Sequence, residues 1–175
     1  MTDPTIVPDT KDWTWVLDRA CPDCGFDAAE VPTGSLAERV RRSAAPWPAL
    51  LADPSAATRH RPAAWSVLEY ACHVRDVHRV MGERLRLLLT EDEPRFANWD
   101  QDATAREAAY ATQAPAVVAE ELLAAAEQAA AAYADVPDHA WSRRGTRSNG
   151  SEFTVATLGR YHLHDLVHHL WDVGA

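Results

Sequence analysis

The stretch TVATLGRYHLHDLVHHLWDV, residues 154–173, sets the architecture of this chain. Leu163, Leu166, Val167, Leu170 and Val173 recur at three- and four-residue intervals, the spacing that gathers apolar side chains on one face of an α-helix. Thr154 supplies an N-cap oxygen for the orphan amides of a first turn, so the pattern predicts a helix over 154–173. Four of the chain's eight histidines, His162, His164, His168 and His169, fall within it. His164 and His168 are i and i+4, which stacks their imidazoles about 6 Å apart along the axis on one face. That face also carries Thr157, Tyr161, Asp165 and Asp172, away from the leucines. It reads either as part of a metal site or as a solvated polar face, since HxxxH alone does not separate the two. His162 and His169 lie two turns apart, too far to share an ion easily.

Upstream of this helix the same periodicity recurs. A helix is expected from Ser35, with Ser35 and Glu38 as a capping box and Leu36, Val40, Ala44, Trp47 and Leu51 as its apolar face. Pro46 and Pro48 should bend or break it. A second long helix starts at Ser66, capped with Glu69, and buries Val67, Tyr70, Val74, Val77, Met81, Leu85 and Leu88 before ending near Pro94. A short helix fits residues 103–112. A third long one begins at Pro115, favoured at a first helical position, and ends near Val136. Residues 141–153, polar and glycine-bearing, read as a loop with at most a short extended piece. No segment alternates with period two for long enough to suggest a sheet. The expectation is an all-α four-helix bundle over 35–175, preceded by an irregular extension over 1–34 that holds four prolines and packs its tryptophans, Trp13 and Trp15, on the bundle.

Composition bounds the function. The chain has 175 residues, 47% hydrophobic, with 17 Lys and Arg against 26 Asp and Glu, a formal charge of -9. A domain of this size buries roughly 70% of its unfolded surface, so it needs no metal to fold and any metal site is expected to be functional. The acidic balance, with no basic stripe, argues against nucleic acid. Residues 1–10 lack the apolar core of a signal peptide, and no apolar run reaches the roughly 18 residues of a membrane span. A cytoplasmic setting with reduced cysteines follows.

His164 and His168 alone are incomplete, because catalytic zinc usually takes three protein ligands and leaves one position open. The second helix offers His73 and His78 at opposite borders of its apolar stripe, and spacing does not choose between them. Cys21-Pro-Asp-Cys24-Gly looks like half of a zinc knuckle, but no second CxxC completes it. It reads as a tight reduced turn or a reversible dithiol, and nothing in the sequence supports a knuckle completed by a histidine or a second subunit.

Trp65-Ser66-Val67-Leu68-Glu69-Tyr70-Ala71-Cys72-His73, followed some ninety residues later by His164-Asp165-Leu166-Val167-His168-His169, resembles the DinB/YfiT-like superfamily of metalloenzymes. That superfamily includes the N-terminal domain of mycothiol-dependent maleylpyruvate isomerase. The resemblance runs from about Ser35 to the end and implies a DinB-like bundle in which one histidine of the second helix and an HxxxH pair of the fourth hold a divalent metal. By position these are His73, His164 and His168, with zinc expected and nickel as the other choice. It also implies a metal-dependent S-transferase or isomerase that activates a low-molecular-weight thiol, here mycothiol, against a small electrophile, as in detoxification. A non-catalytic metal- or ligand-binding stress protein of the same fold is the alternative, and a homodimer is compatible with either.

Around that expected site, Asp165 could orient a ligand imidazole and Tyr161 could donate a proton. Arg143, Arg144 and Arg147 could bind a carboxylate of thiol or substrate through their forked donors, or form a solvated basic loop.

Overall fold

The structure is a computed structural model that describes Ile6 and residues 11–175. The reading of residues 1–10 as no signal peptide therefore lies, apart from Ile6, outside the described residues.

Among the described residues six α-helices form in chain order: α1 Leu36–Ala44, α2 Trp47–Leu51, α3 Val67–Thr90, α4 Gln101–Glu107, α5 Pro115–Ala134 and α6 Val155–Asp172. The first expected helix is broken as its prolines require: α1 stops at Ala44, and α2 restarts with Pro46 and Pro48 around its first residue. The Ser35 and Glu38 capping box does not form. Ser35 sits in helical backbone and its hydroxyl donates to the Pro32 carbonyl. At α3 the capping box is complete: the Glu69 amide donates to Ser66 Oγ and the Ser66 amide to the Glu69 carboxylate. Arg59 pairs with that same carboxylate. Thr154 and Thr157 cap α6 reciprocally.

α1 and α3 each pack against both α5 and α6, so the two pairs alternate around a four-helix bundle. Leu36, Val40 and Trp47 from the first segment meet Leu85 of α3, Leu122 of α5 and Leu158 of α6 in one core. α3 and α6 run antiparallel: His78 meets His162, while His73, nearer the start of α3, meets His169, nearer the end of α6. The beginning of α3 and the end of α6 thus share one end of the bundle.

Two features were not anticipated from sequence. A three-stranded sheet links β1 Arg95–Phe96, β2 Arg144–Arg147 and β3 Glu152–Thr154, with β1 parallel and β3 antiparallel to β2. Strands of two to four residues are too short for an alternating pattern to register. Gly145 makes this sheet possible, since a Cβ there would lie 2.9 Å from the Pro94 carbonyl and 2.7 Å from a Leu88 methyl. The other is which helix the lead-in, expected to pack on the bundle, covers: residues 11–35 fold back over α6 as a chain of short 3-10 turns, at Trp13–Leu17, Ala28–Glu30 and Thr33–Ser35. No helix is long and apolar enough to cross a membrane among the described residues.

Candidate metal centre

α3 delivers His73 two turns after the Ser66 cap, and α6 delivers Asp165 and His169 one turn apart. One ligand atom from each of these three lies within 4.8 Å of the others. Asp165 Oδ1 is 3.4 Å from His73 Nε2 and 3.3 Å from His169 Nε2. His73 is completely buried, held between Trp99, parallel to its ring at 5.3 Å, and Trp65 at 5.2 Å. His73 Nδ1 is buried with no hydrogen-bond partner, and Asp165 Oδ1 is met only by the two imidazole nitrogens, at distances longer than an ordinary hydrogen bond. Buried polar atoms that are poorly satisfied are costly and rare, and here they converge on one point.

The donor chemistry fits a divalent ion. Burial pushes His73 below the ordinary imidazole range, leaving it neutral as a ligand must be. Desolvation would raise Asp165, but His169 and His73 beside it hold it well below the usual carboxylate range. His169 Nδ1 lies 2.8 Å from Asp172 Oδ2, which directs its Nε2 inward. Burial opposes charge on His169, yet Asp165 and Asp172 outweigh it and raise the group to about 9. Without an ion, a proton on His169 thus supplies the positive charge between two carboxylates. Two imidazoles and one carboxylate form a set that holds zinc in hydrolases and iron in oxygenases, leaving positions open for water or substrate.

Asp165 and His169, with His164 and His168, line a cleft of about 360 Å³ walled by Trp13, Trp65, Tyr70, Tyr161 and Trp171. Desolvation raises Tyr161 above the ordinary phenol value, so it remains a protonated donor at neutral pH.

Residues 36–173 match the DinB superfamily. The chain belongs to the DinB superfamily. No curated protein matches the chain in sequence. Among solved structures it is similar to YfiT from Bacillus subtilis, described as a probable metal-dependent hydrolase with an unusual four-helix bundle topology. The identity is 21% with a TM-score of 0.67, over 79% of this chain and 81% of that one, a likeness of fold.

Within this DinB bundle the residues singled out from sequence are distributed differently from the expected triad. His73 converges with Asp165 and His169, whereas His164 and His168 converge with Cys21 and Cys24. Asp165, expected to orient a ligand imidazole, stands among the ligand atoms themselves. Nor are His164 and His168 on a solvated face: they are 4% and 9% exposed, covered by Trp13 and Phe26 of the lead-in. The signal for the other grouping was present in the sequence. Asp165 and His169 have the same i, i+4 spacing as His164 and His168, turned by one residue, and a carboxylate is as good a ligand as an imidazole.

The three arginines also part. Arg143 donates to the carbonyls of Leu88 and Glu91, tying the loop to the end of α3. Arg144 is exposed on β2. Only Arg147 approaches the site, buried beneath Tyr161 with donors on Asn149 and Ser151. It lines a second cleft that shares Trp13 and Tyr161 with the first.

Proposed function

We propose that this DinB protein is a metal-dependent enzyme whose divalent ion, zinc in the first instance, is held by His73, Asp165 and His169, and that it joins a low-molecular-weight thiol of the mycothiol class to a small electrophile. The observation that carries this reading is the convergence of ligand atoms from buried His73, Asp165 and His169, the last two of which line an aromatic cleft. A divalent ion there would lower the pKa of a bound thiol or water and polarise an electrophile.

The protein's own groups define the rest. His73 is locked between two indoles, so it offers one fixed nitrogen. Asp172 fixes the tautomer of His169. Trp13, Trp65 and Trp171 exclude water from the face where an electrophile would lie and give it flat apolar surfaces. Tyr161 holds its proton and can pass it to a leaving group at the cleft wall. Arg147, behind Tyr161, orients that phenol and offers its charge to an acidic substituent entering from the adjoining cleft.

A second reading has its own support. Asp165 reduces the net charge of the centre by one relative to three neutral imidazoles, and a set of two histidines and one carboxylate is that of zinc hydrolases. Water would then take the place of the thiol. Both readings are tested together by assaying the metal-loaded chain against a chromogenic halonitroarene with mycothiol and against chromogenic esters without it. The thiol reading expects turnover that requires mycothiol, is abolished by chelation, and falls at least about 100-fold in Asp165→Ala, the scale of a lost catalytic interaction. Ester turnover without thiol, with the same metal dependence, would replace it by hydrolysis. Turnover indifferent to chelation would overturn both.

A further inference from the structure

The chain contains a second cluster of ligating side chains. Cys21 and Cys24 sit on a turn closed by the Gly25 amide on the Cys21 carbonyl at 2.9 Å and the Cys21 amide on the Phe26 carbonyl at 2.8 Å. Gly25 has φ +73°, a left-handed conformation that other residues adopt only with strain. The turn therefore presents both thiols to the same side. Facing them are His164 and His168, one turn apart on α6. A ligand atom from each of the four lies within 4.8 Å of every other.

We propose that Cys21, Cys24, His164 and His168 form a closed tetrahedral zinc site at the wall of the cleft, which clamps the lead-in onto α6. The Cys21 Sγ to His168 Nδ1 distance of 3.7 Å is close to the roughly 3.6 Å between sulfur and nitrogen ligands in a tetrahedron with zinc bond lengths. His164 Nε2 is buried and has no hydrogen-bond partner, and Cys21 is 1% exposed. All three cysteines are free thiols. Zinc binding would release the two thiol protons to solvent, and the resulting two thiolates would balance the ion's charge. With four protein ligands the ion has no open position, the mark of a structural rather than a catalytic centre.

The two sites interleave on one helix. His164 and His168 group with the two cysteines, and Asp165 and His169, one residue further along, group with His73, while all four line the cleft. The clamp also shapes the cleft, because Trp13 packs on His164 at 5.6 Å and His168 at 5.0 Å and forms part of its wall. An ion held by Cys21 and Cys24 thus positions the indole that shields the other centre.

Elemental analysis of the full chain as isolated tests the clamp. Two zinc ions per chain are expected, falling to one in Cys21→Ser/Cys24→Ser and to one in Asp165→Ala. Loss of an ion in the cysteine variant alone keeps the clamp and removes the centre at His73; loss in Asp165→Ala alone does the reverse. Should the cysteine variant fail to fold, cobalt loading of the wild-type chain and of Asp165→Ala decides. Both should then show the thiolate-to-cobalt charge-transfer band. Absence of that band, unchanged zinc in the cysteine variant, or a Cys21–Cys24 disulfide in the freshly isolated chain would overturn the clamp.

Discussion

The contact between His169 Nδ1 and Asp172, at 2.8 Å, settles which nitrogen His169 turns toward His73 and Asp165. Removing that partner frees the ring to rotate or to change tautomer. Asp172→Ala is therefore expected to weaken metal binding about 10- to 100-fold, the usual effect of losing the group that orients a ligand, with the fold retained. Competition against a chelating dye measures it, and an unchanged affinity would mean that packing alone orients His169. At this scale the sequence showed which residue types were available but not their partners. His73 was legible because it follows Trp65 in a family-like motif. On α6 two overlapping i, i+4 pairs were present, and choosing between them required knowing which face the lead-in covers. That contact spans more than a hundred residues, beyond the reach of periodicity.

Between helices, the close approaches are where single substitutions tell most. Gly145 lies where β2 crosses the end of α3, and Gly145→Ala would drive a methyl into the Pro94 carbonyl and Leu88. A loss of about 1 to 3 kcal/mol is expected, as for other overpacked interiors, measurable by urea denaturation; a neutral result would show that the sheet shifts freely. Deeper in the bundle, His78, His162 and Tyr133 form a buried relay with contacts of 3.1 and 3.2 Å. Burial pushes His78 down to about 4, whereas an imidazole in the unfolded chain titrates near 6.5. Below pH 6.5 the unfolded chain binds a proton that folded His78 refuses, so this group's share of stability is full above 6.5 and declines as pH falls toward 4. The advantage of wild type over His78→Gln should shrink across that window, read as the Tm difference at pH 7 and pH 5. Parallel curves would contradict the assignment. The long helices, their caps at Ser66 and Thr154 and the proline break were readable because each rests on local chemistry. The Ser35 cap failed for an equally local reason, a hydroxyl diverted to the Pro32 carbonyl.

Across the molecule, the bundle brings the start of α3 to the end of α6, and the lead-in folds over that end. The order of the helices was legible, since four amphipathic segments of this length have few other ways to bury their stripes. That the lead-in packs its tryptophans on the bundle was legible too, but not which end it covers, because proline-rich sequence without periodicity does not say which helix it meets. Its CxxC read as a tight reduced turn or a dithiol, and only the fold brings it to His164 and His168 on α6. The same fold divides the histidines between two groups of candidate ligands, His73 and His169 with Asp165, and His164 and His168 with the two cysteines. Anomalous diffraction from crystals of the zinc-loaded chain tests this division at its centre. A peak about 2.0 to 2.2 Å from ligand atoms of His73, Asp165 and His169 is expected. A peak bounded by His73, His164 and His168, or none beside His73, would contradict it.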